Sequence, residues 1–363
     1  MALGQSTLEA LVMAVWQDAP VFLTGHTGFK GGWLTLALHA MGAKVHGYAL
    51  DPSTTPSLFE VAQVADVLAS DTRADLADRV ALQAALAAAQ PTVVFHLAAQ
   101  PLVRASYADP LGTFATNVMG TAHLLEAVRQ VPSVRAVVVV TTDKVYDNRE
   151  WVYPYREADA LGGHDPYSAS KGAAEIVAAS YRASFFHGAD AAQIATARAG
   201  NVIGGGDWAA DRLVPDCLQA FAAGQPVQLR YPGAVRPWQH VLEPLSGYVR
   251  LAEHLLARAP QAASAWNFGP DARGDASVGQ LAQRLASLWG QGARVDMPDG
   301  GNHPHEAGLL RLDITRARAQ LGWQPRWSLD QALEHTVAWH RAWRAGEDMA
   351  QLCRSQMEAY GPL

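Results

Sequence analysis

The chain has 363 residues, of which 49% are hydrophobic and 17% charged, and its formal net charge is −6. This balance is typical of a globular protein, and without a block of basic residues it argues against a nucleic-acid partner. No apolar run approaches the ~20 residues that a membrane span needs, and no basic stretch precedes the first apolar residues, so we expect neither a membrane partner nor a signal peptide. Cys217 and Cys353 lack metal-ligand spacing, which predicts buried free thiols in a reducing, cytoplasmic protein.

The first two hundred residues alternate short apolar strand patterns with helical patterns. The predicted strands lie at residues 21–24, 44–50, 66–69, 92–97, 134–142 and 193–198. The predicted helices lie at residues 33–41, 74–90, 111–131 and 167–186, after a short helix within the first twenty residues. Alternation of this kind, with continuous β-branched runs such as 137–140, predicts an α/β protein with a parallel sheet and helices on both faces.

The alternation of strand and helix patterns changes after residue 201. A glycine-rich turn at 204–206 is followed by more frequent proline and tryptophan, and helical patterns recur at residues 213–223, 241–257, 278–289 and 329–344. We interpret this half as a smaller C-terminal α/β lobe over the carboxyl ends of the sheet, where open α/β sheets bind ligands. The predicted domains are residues 1–200 with a return segment at 237–270, and a lobe formed by 201–236 and 271–363.

A glycine fingerprint, Gly25, Gly28 and Gly31, stands between the first predicted strand and helix. In that position the glycines permit a tight turn, close approach of a diphosphate and close helix–strand packing. The G-x-x-G-x-x-G spacing departs from the simplest dinucleotide pattern. Asp51, at the end of the second strand, can hold ribose hydroxyls and favour NAD over NADP, although an exposed surface aspartate fits the pattern nearly as well. Asp71, after the predicted third strand, is a candidate for the adenine end.

Tyr167 and Lys171 lie four residues apart, so a helix places them on one face, one turn apart. A nearby ammonium favours the phenolate, which can take a proton from a sugar hydroxyl. The pair alone occurs by chance in many helices. The glycine fingerprint, together with Thr142, Asp143 and Lys144 at the end of an apolar strand, favours a nicotinamide enzyme acting on a sugar.

The chain resembles the extended short-chain dehydrogenase/reductase superfamily, the NAD-dependent epimerases and dehydratases, and within it the CDP-glucose 4,6-dehydratase family. The matching stretches are residues 24–34 (TGHTGFKGGWL), 96–100 (HLAAQ), 142–144 (TDK), 165–171 (DPYSASK), 201–215 (NVIGGGDWAADRLVP), 236–244 (RPWQHVLEP) and 312–323. They cover the chain from residue 21 to about residue 339. The resemblance implies a Rossmann-type doubly wound sheet, NAD as cofactor and a role in deoxysugar biosynthesis such as that of lipopolysaccharide O-antigen.

The resemblance also implies roles for individual residues. NAD⁺ takes a hydride from C4 while Tyr167 removes the 4-hydroxyl proton, Thr142 hydrogen-bonds the 4-oxygen, and Lys171 holds the nicotinamide ribose and lowers the tyrosine pKa. Asp143 then protonates the departing 6-hydroxyl, and Lys144 stands where related dTDP-glucose and GDP-mannose dehydratases carry a glutamate base for C5. The implied cofactor residues are Gly25, Thr27, Gly28, Phe29, Lys30, Gly31, Asp51, Asp71, Leu97, Ala98, Gln100, Asn117, Thr141, Tyr167 and Lys171.

Substrate contacts are expected from polar residues of the smaller lobe. Arg212 and Arg236 are candidates for the substrate diphosphate, with structural ion pairs as the alternative, and Asn201 for clamping the sugar nucleotide. His303 and His305 lack a third ligand at metal spacing, so we expect no metal site. The expected substrate is CDP-glucose, with another nucleotide sugar, 4-epimerisation or a non-catalytic NAD-binding protein as alternatives. The resemblance further implies a homodimer or homotetramer, in which the helices at 111–131 and 167–186 pair across an axis.

Overall fold

A parallel sheet of seven strands lies at the centre of the computed structural model, which describes residues 15–271, 275–290, 292–297 and 308–363. The strands are β1 (Pro20–Thr24), β2 (Lys44–Ala49), β3 (Ser70–Arg73), β4 (Val93–His96), β5 (Ala136–Val140), β6 (Gln193–Ala199), β7 (Val202–Ile203), β8 (Val227–Gln228), β9 (Val235–Pro237), β10 (Gln239–His240), β11 (Ala265–Phe268), β12 (Asp275–Ser277) and β13 (Val295–Asp296). The order across the large sheet is β11-β6-β5-β4-β1-β2-β3, and all its neighbours pair in parallel.

Helices connect the strands and cover both faces of the sheet. They are α1 (Phe29–Ala40), α2 (Leu58–Val61), α3 (Arg79–Ala89), α4 (Val103–Ala108), α5 (Pro110–Phe114), α6 (Gly120–Arg129), α7 (Pro166–Phe185), α8 (Leu213–Ala222), α9 (Leu242–Leu256), α10 (Val278–Trp289), α11 (Leu329–Ala345) and α12 (Met349–Tyr360). A π-helical turn, Ala115–Met119, joins α5 to α6, so the helix predicted at 111–131 is continuous but irregular.

Two apolar cores lie on opposite faces of the sheet. Val138 of β5 belongs to the core that α1 and α9 cover, whereas Val137 and Val139 belong to the core under α3, α6 and α7. Side chains alternate in this way along a strand that is buried on both faces. The predicted α/β class with a doubly wound parallel sheet is therefore confirmed.

The prediction of a third strand at residues 66–69 is wrong. A 3-10 turn, Val64–Val67, occupies the first half of that stretch, and β3 follows it at Ser70–Arg73. The apolar residues indicated a strand, but Val64 is buried as part of the turn. The real strand is a largely exposed sheet edge with a polar sequence, so it carries no apolar signal. Asp71 consequently lies inside β3 rather than after it.

The C-terminal half adds a third apolar cluster between α8, α10 and α11. The strand β11, from the predicted return segment, pairs with β6 at the edge of the large sheet. The domain boundaries themselves stay a prediction. Helix α12 was not predicted, although its buried residues Met349, Cys353, Met357 and Tyr360 follow helical spacing. His303, His305 and the first fourteen residues lie outside the described ranges.

Within those ranges, no helix has both the length and the apolar character to cross a membrane. The described part of the chain also contains no group of three or more His, Cys, Asp or Glu side chains arranged to hold a metal ion. Cys217 and Cys353 are buried free thiols.

Candidate active site

The glycine turn between β1 and α1 forms a cradle at the carboxyl end of the sheet. Gly25 has a φ of 81°, and a Cβ on it would come within 2.6 Å of the Ala98 nitrogen. A Cβ on Gly31 would collide with the Gly25 carbonyl oxygen, so glycine alone allows α1 to start this close to the turn. Gly28 precedes α1 without a side-chain cap, which leaves the amide donors of the first helical turn, Phe29 and Lys30 included, for an anion. The cradle fits a dinucleotide diphosphate.

Neighbouring predicted cofactor residues surround this cradle through backbone contacts. The Leu97 nitrogen donates to the Thr24 carbonyl at 3.1 Å, and the Ala98 nitrogen donates to the Thr24 hydroxyl at 3.2 Å. The Thr27 hydroxyl donates to the Leu50 carbonyl at 2.9 Å, which ties the glycine turn to the end of β2.

The two aspartates predicted for the adenosine end share one arginine. Asp51 follows β2 with 87% of its side chain exposed, and Arg73 Nη1 lies 3.1 Å from its Oδ1. Asp71 accepts from Arg73 Nε at 2.7 Å and lies 2.9 Å from His26 Nε2. Burial opposes ionisation of Asp71, but Arg73 and His26 hold the pKa of this carboxyl below its usual range. Asp51 is therefore the more accessible of the two for ribose hydroxyls.

Three further predicted cofactor residues use their side chains inside the protein. Asn117, in the π turn, accepts from the Gln100 nitrogen at 2.8 Å and donates to the Ser170 hydroxyl at 2.8 Å. The Gln100 amide donates to Thr113 at 2.9 Å. The Thr141 hydroxyl donates to Glu175 at 2.5 Å. These side chains hold the loop after β4 and the end of β5 in place, so a cofactor could meet mainly the backbone of these residues.

Thr142, Asp143 and Lys144 form a turn immediately after β5. The Thr142 hydroxyl donates to Asp143 Oδ1 at 2.9 Å and accepts from the Lys144 nitrogen at 3.3 Å. The Asp143 side chain is buried against Gly200, and its Oδ2 has no hydrogen-bond partner among the described residues. Lys144 is half-buried. The turn thus places an acid and a lysine at consecutive positions at the carboxyl end of the sheet.

Tyr167 and Lys171 lie in the first two turns of α7, where Asp165 caps the helix by accepting from the Ser168 nitrogen at 2.9 Å. Both side chains are buried, and Lys171 Nζ donates to the Val140 carbonyl at 3.1 Å. Burial raises the pKa of Tyr167 to about 12, although a hydrogen bond with Thr142 and the charge of Arg212 act in the opposite direction. Burial lowers the pKa of Lys171 to about 8. In this structure burial raises the pKa of Tyr167 more than the neighbouring groups lower it. The sequence had led us to expect a lowered pKa.

Positively charged side chains from the glycine turn and the smaller lobe extend towards Tyr167 and Lys171. Lys30, at the start of α1, has a pKa lowered to about 7 by burial and by the charges of Arg212 and Lys171, with Asp143 acting in the opposite direction. Arg212 is held by Asp207 at 3.2 Å. Arg236 is buried, and its Nη1 donates to the Val235 carbonyl at 2.9 Å. The structure thus brings Lys30 and Arg212 close to the catalytic candidates.

Asn201 follows β6 in a left-handed conformation with a φ of 42°. Its carbonyl accepts from the Gln239 nitrogen at 3.2 Å, and its side chain is half-buried.

Sequence reasoning missed the buried ion pair behind the catalytic residues. Glu175, one turn after Lys171 on α7, accepts from Arg198 Nη2 at 2.9 Å and from the Thr196 hydroxyl at 2.6 Å. Burial opposes its ionisation, but the bonds and charge of Arg198 keep the pKa of Glu175 below its ordinary value. Helical spacing from Lys171 was the only signal in the sequence, and it does not reveal the arginine on β6.

Comparison with known proteins identifies the group to which this arrangement belongs. Over 349 residues, the chain is 52% identical to a CDP-glucose 4,6-dehydratase of Salmonella typhimurium, covering 95% of this chain and 97% of that protein. It is 31% identical over 325 residues to a UDP-glucose 4-epimerase of Mycolicibacterium smegmatis, covering 88% of this chain and 97% of that protein. The solved structure of MoeE5 in complex with UDP-glucose and NAD is similar with a TM-score of 0.72 and 25% identity, covering 90% of this chain and all of that one.

These relatives confirm the resemblance to the short-chain dehydrogenase/reductase superfamily that the motifs indicated. A family model described as GDP-mannose 4,6 dehydratase matches residues 22–336, which is most of the chain. The chain therefore belongs to the GDP-mannose 4,6 dehydratase family.

Proposed function

We propose that the protein is an NAD-dependent nucleotide-sugar 4,6-dehydratase that converts CDP-glucose to CDP-4-dehydro-6-deoxyglucose. The observation that carries the proposal is the buried Asp143, with Lys144 beside it, next to the Tyr167 and Lys171 pair. Removing a hydroxyl from C6 needs an acid and a base in addition to the groups that oxidise C4. Identity of 52% to a CDP-glucose 4,6-dehydratase supports the same reaction and the same nucleotide sugar.

The glycine cradle would hold the diphosphate of NAD against the first turn of α1, with Asp51 near the adenosine ribose and Lys171 at the nicotinamide ribose. Bound NAD⁺ would supply a hydride acceptor for C4 that gives the hydride back at C6, so the cofactor is regenerated in each turnover. The collision that any Cβ on Gly31 would cause supports this assignment, because it shows that α1 starts close to the glycine turn, where its first amides can meet an anion.

Tyr167 is the group that takes the proton from the 4-hydroxyl in this proposal. Its phenol has to be ionised for this step, and burial opposes ionisation. The Thr142 hydroxyl and the Arg212 charge both act to lower the tyrosine pKa. Thr142 would turn its hydroxyl from Asp143 Oδ1 to donate to the 4-oxygen of the sugar.

Asp143 and Lys144 carry the second half of the reaction. A ketone at C4 acidifies the C5 proton, which Lys144 removes in its neutral form. Asp143 gives a proton to the departing 6-hydroxyl, so water leaves as the C6–O bond breaks. The side-chain nitrogen of Lys144 forms no hydrogen bond or ion pair within the described ranges, so it is available to the sugar.

Arg212 and Arg236 would bind the substrate diphosphate, and Asn201 would contact the sugar nucleotide. Arginine suits the first role because its fork matches two phosphate oxygens. Arg212 is held in place by Asp207 at 3.2 Å, which supports a fixed anion site at the start of α8. Lys30 adds a further positive charge on the cofactor side.

A 4-epimerase is the second candidate function, favoured by the 31% identity to a UDP-glucose 4-epimerase. Epimerisation needs the tyrosine and a neighbouring hydroxyl but no acid and base at C5 and C6. A non-catalytic NAD-binding protein is the third candidate, and it gives no reason for Thr142, Asp143, Lys144, Tyr167 and Lys171 to occur together.

The proposal places the enzyme in the cytoplasm, in deoxysugar biosynthesis such as that of O-antigen lipopolysaccharide, as a homodimer or homotetramer. Exposed apolar side chains on the neighbouring helices α5 to α7 support the assembly. They include Leu111 with 81% and Ile176 with 61% exposure. A second copy of the chain would cover this surface by pairing the same helices.

The test of this function is mass spectrometry of the products formed from CDP-glucose and, in parallel, other nucleotide hexoses. Loss of one water from CDP-glucose alone would establish both reaction and substrate. Water loss from a different nucleotide sugar would keep the reaction and overturn the substrate. Unchanged masses in every reaction would leave epimerisation or simple binding.

Asp143→Asn and Lys144→Ala test the two residue roles. Both variants should bind NAD and oxidise C4 but fail to release water, so NADH absorbance should persist after mixing with substrate. Asp147→Asn and Lys44→Ala, which alter exposed ion pairs, are the matched controls. Normal product formation by the Asp143 and Lys144 variants would contradict the assignment.

A further inference from the structure

Three buried polar atoms near the site have no hydrogen-bond partner among the described residues: the Tyr248 hydroxyl, Asp143 Oδ2 and Gln239 Oε1. The side chains of Tyr248 and Asp143 are 0% and 1% exposed. Buried polar groups without partners are rare in native proteins, and each one calls for an explanation. The mechanism above uses Asp143 but gives Tyr248 no part.

The fold directs the Tyr248 hydroxyl towards the carboxyl end of β5. Helix α9 begins directly after β10, which pairs with β7 just beyond the carboxyl end of β6. Helical side chains lean towards the start of their helix. The Tyr248 side chain therefore leans towards the carboxyl end of the sheet, where Asp143 follows β5.

One glutamine connects the surroundings of both groups. The Gln239 amide donates to the Gly200 carbonyl at 3.2 Å and to the Phe268 carbonyl at 2.9 Å. Gly200 packs against the Asp143 carboxylate, and the Phe268 ring lies edge-on to Tyr248 with centroids 5.7 Å apart. Tyr248 and Asp143 thus line the same small region.

Tyr248 is suited to donate a hydrogen bond there. Burial raises its pKa, and the charges of Tyr167 and Asp143 raise it further. The phenol therefore keeps its proton and can donate it, whereas a carboxyl oxygen that carries no proton can only accept. A single water between two such groups would satisfy both.

We propose that Tyr248 is a positioning residue whose hydroxyl donates, through one buried water, to Oδ2 of the Asp143 carboxylate that forms as Asp143 gives its proton to the departing 6-hydroxyl. The inference rests on the proposed dehydratase function. When Oδ2 is held in this way, Oδ1 continues to accept the hydrogen bond from the Thr142 hydroxyl at 2.9 Å.

The proton balance of the reaction explains why that orientation matters. In each turnover Tyr167 gains the proton of the 4-hydroxyl, and Asp143 loses one to the departing 6-hydroxyl. The C5 base is restored when its proton returns to C5 as the hydride reaches C6. One proton must then pass from Tyr167 to Asp143, and the Thr142 hydroxyl bonds both groups.

Tyr248→Phe, which keeps the ring and removes only the hydroxyl, tests the proposal. The rate of water loss should fall about 10- to 100-fold, as for loss of a hydrogen bond to a charged group. The rate of C4 oxidation should not change, so NADH should accumulate on mixing with substrate. A C4-deuterated sugar should show a smaller isotope effect on overall turnover than in the wild type.

Tyr360→Phe is the matched control, because that buried hydroxyl also meets α9, through Glu243 at 2.7 Å, away from the site. It should lower the melting temperature without accumulating NADH. Wild-type turnover by Tyr248→Phe, or an equal loss of oxidation and water release, would overturn the proposal.

A second measurement does not depend on activity. Melting temperatures of Tyr248→Phe, Asp143→Asn and the double variant form a cycle that reports whether the two side chains interact. Non-additive shifts support the connection, and additive shifts overturn it. Should the wild type oxidise no nucleotide sugar, the proposed function fails and this cycle still decides the inference.

Discussion

Gly200→Ala is expected to prevent water loss, because the added methyl group would displace the carboxylate of Asp143. A Cβ on Gly200 would lie 2.7 Å from Asp143 Oδ1, whereas ordinary contact begins at 3.4 Å. The carboxylate must therefore retreat by about 0.7 Å at this oxygen and further at Oδ2, which lies closer still. A misplacement of about 1 Å at a reacting group can cost on the order of 100-fold in rate. Overpacking should also lower the free energy of unfolding by about 1–3 kcal/mol.

The assay follows NADH absorbance and product release after mixing Gly200→Ala with CDP-glucose. We expect C4 oxidation near the wild-type rate, persistent NADH and a loss of product formation of about 100-fold. Gly188→Ala is the control, since its nearest neighbour would be 4.0 Å away in an exposed loop. Wild-type product formation by Gly200→Ala would refute the reasoning, because Asp143 would then not need its present position.

Three further changes test the structure around the site. Glu175→Gln leaves Arg198 buried without its countercharge and should cost about 3–5 kcal/mol in urea unfolding, whereas Glu126→Gln, in an exposed pair, should cost under about 1 kcal/mol. Burial lowers the pKa of His340 to about 4. Because the unfolded chain protonates this histidine below pH 6.5 and the folded chain does not, His340 alone should lower stability by about 3 kcal/mol from pH 6.5 to 4, and His340→Phe should remove that part of the loss. Ile176→Glu should convert the assembly to monomers in light scattering, and an unchanged mass would exclude this surface.

The buried strands and the glycine turn could be predicted because their signals are continuous in sequence. A strand covered on both faces must be apolar throughout, as β5 is, and a helix that starts against a turn needs glycine at Gly25 and Gly31. The strand β3 escaped prediction because it lies at an edge and its polar residues face solvent. The catalytic candidates Thr142, Asp143 and Lys144 were visible as a single run.

The supporting residues could not be found in the same way. Gly200 matters because the carboxylate of Asp143, from the turn after β5, packs against it. Glu175 matters because Arg198 faces it from β6, and we propose a role for Tyr248 because its buried hydroxyl has no partner among the described residues and responds to the charge of Asp143. Each role depends on which segments become neighbours after folding, and no local pattern encodes that.

One helical turn beyond Lys171, the carboxylate of Glu175 accepts hydrogen bonds from Thr141 after β5 and from Thr196 and Arg198 of β6. These side chains lose their conformational freedom when the chain folds, before any sugar arrives. This part of the site is therefore already ordered before the substrate binds, and ordering it costs little of the binding free energy. We expect the side chains that become ordered on substrate binding to lie in the smaller lobe, where Arg212 is only partly buried. Discrimination among nucleotide sugars should accordingly change through substitutions in that lobe, while the chemistry at C4 stays the same.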